Sequence, residues 1–161
     1  MRLLTLAATC AALVGPTANA EAQTDRDAVL RVVVDLFTAM HEGDTTLLRS
    51  VFAPTATLVT TDTRDGVPVI VPGSIEGFIG AVGRPREQSW EERIYAPEVQ
   101  ISDGLASIWT WYTFHLGDRL SHCGIDAFQL ARGPDGWKII ALADTRRRDG
   151  CDEVAARQPF N

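Results

Sequence analysis

The sequence predicts an α+β fold: N-terminal helices followed by a mostly antiparallel sheet, with both halves in one domain. Three observations carry this. Apolar residues recur every three or four positions across residues 27–40, which draws one stripe on a helix. From Ala56 the period changes to two and β-branched residues take over. Turn pairs then divide the chain at short intervals, at Asp65-Gly66, Asp103-Gly104, Gly117-Asp118 and Pro134-Asp135-Gly136.

Ahead of the first helix, Arg2 precedes an apolar run over residues 3–14, and Ala18-Asn19-Ala20 supplies small residues at a cleavage position. That is the three-part layout of a secretory signal peptide over residues 1–20, expected to be cut near Ala20 and to deliver the chain to the periplasm or the medium. A membrane-spanning helix needs ~20 apolar residues, so no membrane insertion is expected. Without Arg2, the 15 basic residues fall to 14 against 21 acidic ones, a balance of −7. Phosphate binding needs a basic stripe, and here the basic residues are scattered, so nucleic acid is not an expected partner. Residues 21–145 read as the folded domain. Residues 146–161, with Arg146-Arg147-Arg148 followed by Asp149, Asp152 and Glu153, read as a solvated, self-paired C-terminal tail.

The first helix places Val29, Val32, Val33, Leu36, Phe37 and Met40 on one face, with Thr24 or Asp25 as its cap and Gly43 as its end. Asp44 caps a short second helix that Pro54 stops. A hairpin follows over residues 57–61 and 67–71, then a third short helix capped by Ser74. Four strands complete the order: residues 91–101, 105–116, 121–131 and 137–143.

This order resembles the nuclear-transport-factor-2-like superfamily, with its polyketide-cyclase-like (SnoaL-like) and ketosteroid-isomerase-like members. The local text is similar at VVVDLFTAMHEGDTTLLRSVFAPTATLV, where a helix leads through Gly-Asp to F-x-P-x-A. It is similar again in the D-G-x-A strand start at Asp103 and the D-G-W-K-I last strand at Asp135. The resemblance spans about residues 25–145. It implies a strongly curved sheet forming a cone-shaped cavity, often in a homodimer, but no single reaction. The first helix has no tyrosine at Phe37 or Met40, so the helix-borne phenol of steroid isomerases has no match.

Strand register proposes the lining. With Gly117-Asp118 as a two-residue turn, Leu116 pairs with Arg119, Thr113 with His122, Trp111 with Gly124 and Trp109 with Asp126. One face then carries Trp109, Trp111, Thr113, His122, Asp126 and Phe128, with Phe37 facing it from the helix. This set is expected to bind a small apolar or aromatic molecule without a cofactor. His122 and Asp126, roughly 13 Å apart at the ~3.3 Å strand rise, are the candidate acid–base pair for cofactor-free lyase or isomerase chemistry of dehydratase or cyclase type. The plain alternative gives both residues structural hydrogen bonds. Whether the protein is an enzyme stays open.

Cys123 and Cys151 are the two cysteines left after signal cleavage. A disulfide suits an oxidising compartment; two free thiols or a metal site using His122 are the alternatives. Among the other polar residues, His41 is expected to complement the first helix's dipole, His115 to be exposed, and Asp144 to reach the cone's mouth or end its strand in a salt bridge.

Overall fold

The computed structural model describes residues 18–160. The apolar run and most of the expected export signal, residues 1–17, lie outside the described residues. Helix α1 (Ala18–Glu42) begins upstream of the expected cap, because residues 18–23 contain no glycine or proline to interrupt it. Its buried stripe is Val29, Val33, Leu36 and Met40. Gly43, at φ +74°, ends it. The Arg86 guanidinium donates to the carbonyls of Met40 and His41 and also to Val82, so one side chain caps two helix ends.

Helix α2 (Thr45–Val51) starts at Asp44, whose carboxylate accepts from the amides of Thr46 and Leu47 at 2.9 Å each. Phe52 is already extended, so the helix ends before Pro54, which lies inside β1 (Phe52–Arg64). The turn to β2 (Val67–Gly73) places Asp65 and Gly66 at φ 52° and 79°, as a tight hairpin requires. Ser74 caps α3 (Ile75–Val82). Then come β3 (Trp90–Ser102), β4 (Leu105–Leu116), β5 (Arg119–Gly133) and β6 (Gly136–Thr145).

These six strands form one open sheet in the order β2-β1-β6-β5-β4-β3, with only the β1–β6 pair parallel. Register shifts leave an extra residue in β3 near Ala96, in β5 at Ser121 and in β6 at Ile140. Each such bulge bends its strand and adds twist, which curves the sheet around α1. The core fills the concave side, where the α1 stripe meets Ile108, Tyr112, Phe128, Leu130 and Ile139. No helix among the described residues is long and apolar enough to cross a membrane.

The C-terminal segment packs where a solvated tail was expected. Cys123 and Cys151 form a disulfide with Cα atoms 5.6 Å apart, which anchors α4 (Cys151–Ala155) to the convex face. Val154 is fully buried there beside Tyr95, Trp111 and Leu120. Arg146 and Arg147 engage other partners than the acidic residues that follow them, Arg146 pairing with Asp144. Arg147 exchanges backbone hydrogen bonds with Cys123, and its guanidinium and that of Arg157 lie over the Trp111 ring at 5.7 and 4.0 Å. An apolar sheet face and a ring able to accept two cations hold the segment more firmly than exposed ion pairs, worth ~0–1 kcal/mol each.

The disulfide closes a loop of 28 residues, so Cys151→Ser is expected to lower stability by about 3 kcal/mol relative to the oxidised protein. Urea unfolding with and without reductant reads this directly, and coincident curves would count against it.

Candidate functional site

The bulge at Ser121 decides what faces the cavity. Leu116 does pair with Arg119 across the two-residue turn, but His115 pairs with Leu120 and Phe114 with His122, leaving Ser121 unpaired. Beyond that point the register runs one residue off the simple count: Tyr112 opposite Gly124, Thr110 opposite Asp126, Ile108 opposite Phe128. The inward residues of β5 are the expected ones, whereas β4 presents its other face.

The expected lining therefore divides. His122, Asp126 and Phe37 line the cavity, and Phe128 sits beneath it in edge contact with Phe37, ring centres 6.3 Å apart. Trp109, Trp111 and Thr113 point to the convex side and do not line it. Trp109 is 52% exposed, Trp111 lies under the tail, and Thr113 is buried with its hydroxyl 3.0 Å from the Tyr95 phenol. Their places inside are taken by Tyr112 and Phe114. His122 and Cys123 face opposite sides, and the Cys123 sulfur is bonded to Cys151.

The cavity has a volume of about 300 Å³. Leu36, Phe37 and Met40 of α1, Phe78 of α3, and Trp90 and Phe114 of the sheet make its walls. One end is polar, and its groups come from neighbouring strands. Asp126 on β5 stands opposite Asp144 on β6, and Glu92 on β3 lines the same cavity, near enough for its charge to act on Asp126. Asp144 is the settled member: the Thr60 hydroxyl donates to Oδ1 at 2.6 Å and Arg146 Nε donates to Oδ2 at 2.7 Å. Asp126, 3% exposed, has its Oδ2 buried with no donor from the protein.

Burial pushes the Asp126 carboxyl well above the usual range, reinforced by the charge of Glu92. Burial likewise pushes Glu92 up to about 7. The pair is thus built to share a proton. Tyr112 passes over Gly124 and donates to the Thr145 carbonyl at 2.8 Å. A side chain at Gly124 would collide with that carbonyl, since a Cβ there would sit 2.0 Å from it. Burial, aided by Arg146, drops His122 to about 4, so its ring is neutral at neutral pH, packed 4.9 Å from Phe114 and 5.7 Å from Tyr112. His115 is half-buried beside the turn rather than exposed.

Glu92 was absent from the sequence reading. Its signal lies in the alternation of β3, where a lone carboxylate stands between Trp90 and Ile94 on one face of the strand.

Comparison with known proteins places this arrangement. A family model described as "Putative lumazine-binding" matches residues 24–143. The chain belongs to this family. Its fold is that of the nuclear-transport-factor-2-like superfamily. An NTF2-like protein with a cystatin-like fold from Novosphingobium aromaticivorans superposes with a TM-score of 0.66 at 11% identity, covering 86% of this chain and 92% of that one. A structure described as "a putative dehydratase from the NTF2-like family", from Streptomyces avermitilis, gives 0.57 at 17% identity over 78% and 97%. An NTF2-like protein of unknown function from Shewanella baltica gives 0.60 at 15% identity over 84% and 100%. No curated protein matches the chain.

Glu92 and Asp126 bind protons more tightly folded than unfolded, so their contribution to stability is full at low pH and is lost as pH rises through about 7 and beyond. His122 acts oppositely, but only between about 4 and its ordinary value of 6.5. Between pH 6.5 and 8 the carboxyls alone decide the slope, and stability is expected to fall by on the order of 1 kcal/mol through Glu92. Glu92→Gln should flatten that slope in denaturant titrations at the two pH values; an unchanged slope would show that the pair does not titrate there.

Proposed function

We propose that this chain is an exported protein that holds a small, largely apolar or aromatic molecule in the cone. The observation that carries the proposal is the cavity itself: about 300 Å³, walled by aromatic and aliphatic side chains, with its polar groups gathered at one end. That is the usual form of a small-molecule site, apolar for affinity and sparsely polar for orientation. The lumazine-binding description of the family supports a flat aromatic guest. Export is supported by the layout of residues 1–20, and N-terminal sequencing of protein recovered from its own host is expected to begin at Glu21. A homodimer belongs to the same reading, supported by Leu105 and Trp109, both more than half exposed on the sheet.

A second reading, a cofactor-free lyase or isomerase of dehydratase or cyclase type, is favoured by the Glu92–Asp126 pair, which can give and take a proton near neutrality. Asp126 would be the acid–base group, and the neutral His122 an acceptor.

Native mass spectrometry of the host-purified protein is expected to find a retained small aromatic molecule. Ala81→Phe, which places a ring in the cavity, should weaken binding of that molecule by more than about tenfold with folding intact. Full binding in this variant would remove the cavity from the account. His122→Ala combined with Asp126→Asn separates the two readings: turnover lost with binding kept identifies an enzyme, and no change in either removes that role.

A further inference from the structure

We infer that the guest of the cavity carries a cationic amine, whose ammonium group docks between the carboxyls of Glu92 and Asp126. The inference rests on the binding role proposed above and specifies the chemical class of the guest.

The polar end holds an excess of acceptors. Its ionisable groups are Glu92 from β3, Tyr112 from β4, His122 and Asp126 from β5, and Asp144 with Arg146 from the end of β6. Helices α1 and α3 and strand β1 contribute only apolar side chains to the lining. Arg146, the one cation, is already engaged by Asp144 at 2.7 Å. The Tyr112 hydroxyl is spent on the Thr145 carbonyl. That leaves Glu92 facing Asp126, whose buried Oδ2 receives no donor from the protein. Two carboxyls lining one apolar cavity need something positive between them.

Without a guest a shared proton would fill that role, consistent with the raised proton affinity of both groups. An ammonium takes over the single positive charge of that proton and supplies three donors in the same place, one of them for Oδ2. The aromatic walls suit the apolar body of such a guest: Trp90 and Phe114, packed edge to face 5.9 Å apart, line the same cavity. An anionic guest would meet the carboxyl pair, and the one arginine of the lining is already paired with Asp144 through Nε. Docking releases the shared proton to solvent, so amine affinity rises with pH.

Three probes of one size test this by titration calorimetry on the mature protein: tryptamine, the neutral tryptophol and the anionic indole-3-propionate. Tryptamine is expected to bind at least about tenfold more tightly than the other two, with affinity rising about tenfold from pH 6 to pH 8. Its heat should vary with the ionisation enthalpy of the buffer, which reports proton release. Asp126→Asn and Glu92→Gln, each checked for folding by circular dichroism, should each erase the preference for the amine. Tryptophol or indole-3-propionate binding as tightly as tryptamine, or amine affinity falling as pH rises, would overturn the inference while leaving an aromatic-ligand site in place. Failure of all three probes to bind would remove both.

Discussion

One unpaired residue in β5 governs the interior of this protein. Because side chains alternate across a strand, the extra Ser121 turns over every residue of β4 relative to β5 from that point on. Tyr112 and Phe114 are thereby brought inside beside His122 and Asp126, and the tryptophans are sent outside. The same bulge bends the strand, and with those near Ala96 and Ile140 it curves the sheet far enough to leave space beneath α1. Shape and chemistry of the cavity thus share one cause.

The polar end is held against a cost. Three carboxyls in an apolar pocket would expel one another or stay protonated, and the fold treats them unequally. Asp144 receives a hydroxyl and a guanidinium and is satisfied as a carboxylate. Asp126 has an oxygen buried with no partner, and Glu92 beside it adds a second carboxyl to the same wall. A protein selected for stability alone would replace such a pair with apolar side chains, and its presence at the end of a cavity is why the functional reading centres there.

Much of the fold was legible because its signals are local. The caps at Asp44 and Ser74, the stop at Gly43 and the hairpin turn at Asp65-Gly66 each depend on a few adjacent residues, and each stands where the sequence places it. The inward face of β5 was legible for the same reason. The facing of β4 was not, since a bulge is a non-local compromise between strand twist and packing, and nothing in the text around Ser121 marks it. Glu92 escaped because its importance comes from Asp126, distant in sequence and brought near only by the order of the strands. The tail was legible in part: its cysteine pair was, but Arg147 and Arg157, which count as charges in composition, lie here over the Trp111 ring.

That tail also protects the sheet. Strand β3 lies at one end of the strand order and carries Glu92, so its outer backbone groups would otherwise stand open to any extended chain. The amide of Ala96 instead donates to the Gln158 carbonyl at 3.1 Å, and the amide of Phe160 donates to the Ile94 carbonyl at 3.0 Å. The last residues therefore act as a short seventh rung, fastened by the disulfide upstream. An oxidised cysteine pair on the convex face thereby guards an exposed edge against edge-to-edge aggregation, and does so at the strand that supplies half of the carboxyl pair.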